Sequence, residues 1–131
     1  MREIKFRGMD IVNNKWLYGN LEIPLINQSK SKHFIVGHFY GQYQKLEVNP
    51  KTVGQYTGLK DKNGKDIYEG DIYHMGDPSI TYTVVWHDAG LIGKQNGSSS
   101  YAGLSHWQDR IEVIGNIYEN PSYWRVKNEN E

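Results

Sequence analysis

Residues 55–72, with the sequence QYTGLKDKNGKDIYEGDI, decide the fold of this 131-residue chain. Two backbone-reversal signals lie within them, Asn63-Gly64 and the glycine-containing triplet at residues 69–71. Asn-Gly favours the left-handed conformations of a tight turn, and glycine also suits a sharp corner between strands. Short apolar runs lie next to both signals. The segment therefore predicts a strand, a tight turn and a corner at the beginning of a small β-barrel.

The rest of the chain has the same strand-and-turn character. Fourteen glycines interrupt short runs of β-branched and aromatic residues, and no long helical pattern occurs. We predict strands at residues 4–7, 16–19, 34–40, 72–75, 80–86 and 111–118. Turns are predicted at residues 13–15 and 49–52, and a bulge is predicted at Gly115.

Two residues are expected in the core. Trp86 and Ile114 lie in the middle of predicted strands among apolar neighbours, so we predict that both face the interior. Truncating a buried tryptophan to alanine costs ~3–5 kcal/mol, and we expect that cost for Trp86→Ala.

Charge and cysteine content restrict the classes of function. Lys plus Arg and Asp plus Glu both number 15, so the whole molecule has no long-range field that would gather nucleic acid or anionic membranes. A local basic patch is still compatible with this balance. The absence of cysteine excludes disulfides and thiolate metal sites. No signal peptide or apolar span of ~18 residues is present, and we expect a cytoplasmic protein without membrane contact.

Three regions of the chain, residues 1–7, 48–72 and 111–121, resemble the YopX family of phage and prophage proteins. The most specific elements are TGLKD and YEGD in the second region and VIGNI in the third. The resemblance implies a β-rich fold that contains an SH3-like barrel, encoded by a phage or a prophage. It implies no activity and transfers no catalytic residue. Residues 19–45 and 89–103 have no counterpart in the family pattern.

The fold that we predict is mainly β, an SH3-like barrel with additional N-terminal strands and a short C-terminal helical turn. Residues 1–55 are expected to form an N-terminal β-hairpin and strand region packed on the barrel, which itself comprises residues 56–125. The helical turn would begin at Asn120-Pro121. Residues 126–131 are expected to fray. A mobile loop is predicted at residues 90–103.

A cluster of oxygen-bearing side chains in the deciding segment raises the question of a calcium site. Its members are Asp61, Asn63, Asp66, Glu69 and Asp71. A calcium loop of the EF-hand type that begins at Asp61 needs an oxygen ligand at its fifth position and glycine at its sixth. Lys65 and Asp66 occupy these two positions. We therefore predict an acidic, turn-forming hairpin tip without a metal.

The histidines indicate no active site either. His33, His38, His74, His87 and His106 show no metal-binding spacing. Adjacent strand residues point to opposite faces, so His87 and Asp88 could form an acid–base pair only if the chain bends after them. We predict no catalytic, cofactor-binding or metal-binding residues.

The function expected from these observations is a non-catalytic protein-interaction module, with self-association included and no small-molecule ligand. The sequence contains ten tyrosines and four tryptophans. We expect most of these rings to fill the core of a β protein, and the next explanation for them is a binding interface. Nucleic-acid binding in phage replication or regulation is the alternative, with Lys60, Lys62 and Lys65 around one turn. An enzyme with a site assembled from distant residues, such as His74, His87 and Asp71, is the second alternative.

Overall fold

The computed structural model of the chain describes residues 3–24 and 32–121, and it is mainly β, as predicted. The strands are β1 (Phe6–Met9), β2 (Trp16–Glu22), β3 (His33–Phe39), β4 (Gln42–Val48), β5 (Gly54–Lys60), β6 (Asp66–Tyr68), β7 (Asp71–His74), β8 (Tyr82–His87), β9 (Gly90–Gln95), β10 (Tyr101–Ala102) and β11 (Glu112–Asn116). The helical elements are the short α1 (Leu104–Trp107) and two 3-10 helices, Pro50–Thr52 and Gln108–Arg110. None of these helices is long and apolar enough to span a membrane, within the part of the chain that is described.

The chain divides into two compact units, Met1–Tyr56 and Thr57–Glu131. The division into functional domains at residue 55 stays a prediction. The predicted helical turn, beyond Pro121, and the predicted tail at residues 126–131 lie outside the described residues.

The first unit is an antiparallel sheet in the order β4-β3-β2-β1-β5, in which β1 pairs with the beginning of β5. One face of this sheet carries a core of Leu17, Ile35 and Val48, each at most 4% exposed. The partly buried residues packed against them are Phe6, Leu21, Phe39, Leu46 and Val53. Alternation along the strands places the intervening side chains on the opposite face.

The first unit confirms one predicted turn and adds a strand that the sequence analysis missed. The turn at residues 13–15 connects β1 to β2, and Asn14 adopts a left-handed φ of 57° there. The missed strand is β4, which pairs with β3 along its whole length from Phe39↔Gln42 to His33↔Val48. Its sequence, QYQKLEV, mixes polar and apolar residues on both faces and so gives little alternation to detect.

The second unit begins with the hairpin predicted from the deciding segment. β5 pairs with β6, and Gly64 adopts a φ of 83° at the tip between them. The remaining strands form an antiparallel sheet in the order β10-β9-β8-β7-β11. Among the described strands, β10 and β11 end this ladder without pairing with each other, so the sheet is not closed and the predicted SH3-like barrel is not confirmed.

The prediction of a mobile loop at residues 90–103 is wrong. This segment forms β9 and β10, which pair through Tyr101↔Lys94 and Ala102↔Gly93. The turn between them is anchored by Asn96, whose side chain donates to the Thr81 hydroxyl (3.0 Å) and accepts from the Thr83 hydroxyl (2.8 Å). Hairpin pairing with β8 along the whole of β9 overrides the weak strand propensity of glycine and serine.

Trp86 and Ile114 do not face the core, so that prediction is also wrong. Trp86 is 48% exposed and Ile114 is 38% exposed. Trp86 shares a face with the buried Val84, but it lies one residue before the end of β8, beyond the region that the core covers. At Ile114 the pairing of β11 with β7 shifts register, which confirms an irregularity next to Gly115 and turns the isoleucine outward.

The interior of the second unit is built around Tyr73, which is fully buried and stacks on Tyr82 with ring centroids 5.2 Å apart. Burial raises the pKa of the Tyr73 hydroxyl, and the nearby Tyr82 adds to this shift. The hydroxyl has no hydrogen-bond partner among the described residues. It occupies the space above Gly93 that any larger residue at that position would fill.

We predict that Gly93→Ala destabilises the protein by about 1–3 kcal/mol, because its Cβ would overlap with the Tyr73 hydroxyl. Tyr73→Phe should be neutral or stabilising, since it removes a buried hydroxyl without a described partner. The double variant should recover part of the loss, which urea denaturation of all four proteins measures as a coupling energy. Additive effects would contradict this packing.

We predict that Trp86→Ala costs less than about 2 kcal/mol, because half of the side chain is already in solvent. Ile72→Ala is the matched comparison at a fully buried position of the neighbouring strand, and it should cost about 2–5 kcal/mol. Denaturant melts that rank the two variants in the opposite order would contradict this difference in burial between Trp86 and Ile72.

Candidate functional site

The acidic hairpin tip is held together by the carboxylate of Asp61, a residue only 6% exposed. One carboxylate oxygen accepts the backbone N–H groups of Asn63 and Lys65, both at 2.9 Å. The other accepts the backbone N–H of Val113 in β11, at 3.0 Å. Burial raises the pKa of this carboxyl, but the three N–H groups and the charge of Lys65 together lower it further, so that the net pKa is below its ordinary value.

The corner at residues 68–71 uses a second buried carboxylate in the same way. Asp71 is 2% exposed and accepts the backbone N–H of Tyr68 at 2.8 Å. Gly70, with a φ of 91°, donates its N–H to Val84 and accepts the N–H of Ile117 through its carbonyl. Asp61 and Asp71 therefore act as backbone caps that position strands.

The hairpin lysines form ion pairs with neighbouring carboxylates. Lys60 lies 2.6 Å from Asp66, and Lys62 lies 3.1 Å from Glu112. Two of the three cations proposed for a nucleic-acid site are thus neutralised locally. This reduces the attraction that the hairpin tip offers to phosphate groups.

The structure places the three residues of the distant-site hypothesis against different neighbours. The Nδ1 atom of His74 accepts the backbone N–H of Gly76, and its Nε2 atom lies 3.7 Å from Glu112. His87 packs against the ring of Tyr101 at 4.4 Å. The chain does bend after His87, which brings its Nε2 to 3.6 Å from the carboxylate of Asp88, but Asp88 is 91% exposed at the hairpin tip. Asp71 serves the corner described above.

An open groove of about 170 Å³ lies on the second unit. It is lined by Met75, Asp77, Ile80, Tyr82, Trp107 and Arg110. These residues come from the segment between β7 and β8, the first residue of β8, and the helical turns before β11. They lie as much as 35 positions apart, so no local pattern in the sequence indicated that they meet.

The two charged groups of the groove are held in place by their surroundings. The carboxylate of Asp77 accepts both the hydroxyl (2.7 Å) and the backbone N–H (3.0 Å) of Ser79, and these two bonds lower the pKa of Asp77. The guanidinium of Arg110 lies 5.8 Å from the ring centre of Trp107, within the range of a cation–π contact. The groove therefore presents apolar rings together with one fixed charge of each sign.

The first unit carries a second surface that the sequence analysis did not identify. Tyr18, His38, Tyr40 and Tyr43, here called the tyrosine patch, lie at one end of the sheet face opposite the core. Tyr18 is 49%, Tyr40 65% and Tyr43 62% exposed, and His38 is also exposed. The rings of His38 and Tyr43 meet edge to face at 5.2 Å.

Tyr40 is the most unusual member of this patch. It adopts a φ of 53° in the two-residue turn between β3 and β4, and Gly41 follows with a φ of 84°. Two successive positive φ angles define a type I′ turn, which strongly favours Asn-Gly. A left-handed conformation costs an L-residue with a Cβ roughly 1–2 kcal/mol, so a tyrosine at this position is a departure from the sequence that the turn prefers.

Comparison with known proteins identifies the family of the chain. The family profile described as YopX protein matches residues 5–123, which is most of the sequence. The chain belongs to the YopX family. The three regions that resembled this family in the sequence include the hairpin, the corner and the closing strand of the second unit.

A solved structure shares the fold of this YopX protein. The crystal structure of protein EF1440 from Enterococcus faecalis matches with a TM-score of 0.58 and 24% sequence identity. The match covers 95% of this chain and 99% of the other. No curated protein sequence matches the chain.

We predict that Asp61→Asn destabilises the protein by about 1.5–3 kcal/mol at neutral pH, because the amide replaces an oxygen that accepts from Val113. The folded-state pKa of Asp61 is lowered, so its contribution is complete above the unfolded pKa of about 3.9 and is lost as the pH falls through the folded value. The difference between the two proteins should thus be constant near neutral pH and shrink below pH ~4.

Asp66→Asn is the matched control for this prediction. It removes a carboxylate from the same hairpin, but one that pairs with the largely exposed Lys60, so its cost should stay below about 1 kcal/mol. Urea melts at a series of pH values measure both variants. A pH-independent effect of Asp61→Asn would contradict the role of its charge.

Proposed function

We propose that this YopX protein is a non-catalytic protein-interaction module whose groove on the second unit receives an extended segment of a partner protein. The observation that carries the proposal is the composition of the groove. Tryptophan, tyrosine, methionine and arginine are the residues enriched at protein interfaces, and all four line it. Methionine also adapts its shape to different partner side chains.

The size of the groove favours a protein segment over a cofactor. Sites for small molecules typically enclose ≈ 300–1,000 Å³. The groove, at about 170 Å³, is large enough for one or two anchoring side chains of a chain that continues outside it. The carboxylate of Asp77 is oriented by the Ser79 hydroxyl, and the guanidinium of Arg110 lies near the Trp107 ring. These two groups would favour a partner segment that carries charged residues next to an apolar side chain.

We also infer that the second unit is an open SH3-like barrel. The order β11-β7-β8-β9-β10 and the 3-10 helix Gln108–Arg110 before the last strand support this inference, because SH3-like barrels have the same arrangement. The loop between β7 and β8 and this helix both contribute residues to the groove. The family resemblance favours a protein that is encoded by a phage or a prophage and located in the cytoplasm of the bacterial host.

The alternative functions have less support from the described contacts. Asp61 and Asp71, the buried carboxylates, are engaged by backbone N–H groups, and this supports a structural role rather than acid–base chemistry. Nucleic-acid binding at the hairpin is disfavoured by the ion pairs of Lys60 and Lys62. Self-association remains part of the proposal and can be measured by light scattering. If the protein is strictly monomeric, self-association is removed from the proposal.

A random peptide library displayed on phage tests the groove directly. We expect the selected peptides to share an apolar side chain with a charged residue next to it. Their affinity for the Ile80→Glu variant should be lower by a factor of at least about ten, which corresponds to a loss in binding free energy of about 1.4 kcal/mol. Ile80 is 41% exposed, so this change should leave the fold intact.

Ile114→Glu provides the matched control, since Ile114 is 38% exposed on the same unit but does not line the groove. The control should bind the selected peptides as the original protein does. Failure to select any peptide, or an equal loss in both variants, would overturn the proposal. Thermal melts of both variants exclude unfolding as the cause.

A further inference from the structure

We propose that the tyrosine patch of the first unit binds single-stranded nucleic acid, with bases stacked on its rings. This inference goes beyond the proposed groove and uses different residues, so either can fail alone. Exposed aromatic rings on a sheet face accept bases of any sequence because every base has a π face. The patch offers three tyrosines and one histidine at one end of three neighbouring strands.

The zero net charge of the chain conceals an opposite charge on the two units. Residues 1–56 contain eight Lys and Arg against four Asp and Glu, a formal charge of +4. Residues 57–131 contain seven against eleven, a formal charge of −4. The basic unit is the one that carries the tyrosine patch. A polyanion is therefore complementary to this unit, even though the whole molecule is neutral.

The side chains of Tyr18, His38 and Tyr43 lie on one face because the strands alternate, and Tyr40 lies in the turn between β3 and β4. Leu17 and Leu21 of β2 and Ile35 of β3 pack into the core, so Tyr18 and His38 point to the opposite face. Cross-strand pairing aligns His38 with Tyr43. The Tyr40 hydroxyl accepts a hydrogen bond from the Asn13 side chain at 3.1 Å, which holds this ring at the same end of the sheet.

The charged groups of the face are segregated along the strands. In the ladder of β2, β3 and β4, both strand carboxylates of this face, Glu22 and Glu47, lie opposite Phe34. Lys45 pairs with Glu22 at 2.8 Å and so offsets one of these charges. The exposed Lys15 precedes β2 at the end where the tyrosines lie. Within this ladder, the strand carboxylates therefore lie away from His38 and Tyr43 of the tyrosine patch.

The left-handed Tyr40 is a second, independent indication. The turn would be more stable with asparagine, yet it presents a ring that is 65% exposed and contributes nothing to the core. A residue that lowers stability and is directed to solvent is typical of a binding surface. This predicts that stability and binding change in opposite directions when Tyr40 is replaced.

Fluorescence anisotropy with labelled oligothymidine and oligouridine of about 16 nucleotides tests the proposal at low salt, since single-strand sites span ≈ 4–16 nucleotides. We expect both strands to bind, and their relative affinity distinguishes DNA from RNA as the ligand. Tyr18→Ala and Tyr43→Ala should each weaken binding about 5- to 150-fold, the range for loss of one stacked base. A plot of the logarithm of the association constant against the logarithm of the salt concentration should have a slope of about −0.7 for each phosphate contact.

Tyr40→Asn separates folding from binding. It should raise the melting temperature and still weaken the binding of both oligonucleotides, which simple unfolding cannot produce. Tyr101→Ala is the matched control, because this tyrosine is 45% exposed on the acidic second unit, and it should leave the affinity unchanged.

Three results would overturn the inference. The first is an absence of binding for both strands at about 50 mM salt, where phosphate contacts are strongest. The second is an equal loss of affinity in the Tyr101→Ala control. The third is a dimer in light scattering that Tyr18→Ala or Tyr43→Ala converts to a monomer while oligonucleotide binding is unaffected, since the patch would then be a contact between two copies of the chain.

Discussion

The carboxylate of Asp61 is the interaction on which the second unit depends. It accepts N–H groups from two residues of its own hairpin tip and from Val113 in β11, a strand 52 positions away. A carboxylate that receives several backbone N–H groups stays charged although it is buried, and its removal leaves donors without partners. The same contact orders the tip and fixes where the closing strand begins. Asp71 repeats this arrangement at the next corner. The acidic character of the hairpin is thereby explained as backbone capping.

The two units offer surfaces of different chemistry. The second unit, which is acidic, presents a small groove with apolar rings and one fixed charge of each sign. The first unit, which is basic, presents exposed rings on an open sheet face. Rings of this kind were expected from the ten tyrosines, but composition alone could not separate those that fill a core from those that face solvent. Tyr73 and Tyr40 show the two extremes among the described tyrosines, at 0% and 65% exposure.

The errors of the sequence analysis share a physical cause. Trp86 and Ile114 were assigned to the core from their apolar neighbours, but a register shift beside Gly115 and the limited length of the core beneath β8 place both at the surface. Residues 90–103 were assigned to a loop from their glycine and serine content. There the pairing with β8 and the close fit of Gly93 under Tyr73 decide the conformation. In each case the pairing or packing of one segment against another outweighed the preference of the segment itself.

The sequence by itself determined the β class, the hairpin turn at Asn63-Gly64, the corner at residues 68–71 and the family, because each of these depends on backbone preferences or motifs within a few residues. Only the tertiary structure decided the order of the strands, the exposure of each aromatic ring and the assembly of the groove from residues as far apart as Met75 and Arg110. It also assigned opposite charge to two compact units within a chain that is neutral as a whole. These properties depend on which distant segments pair, and that choice is made by the collective burial of side chains rather than by any one stretch of sequence.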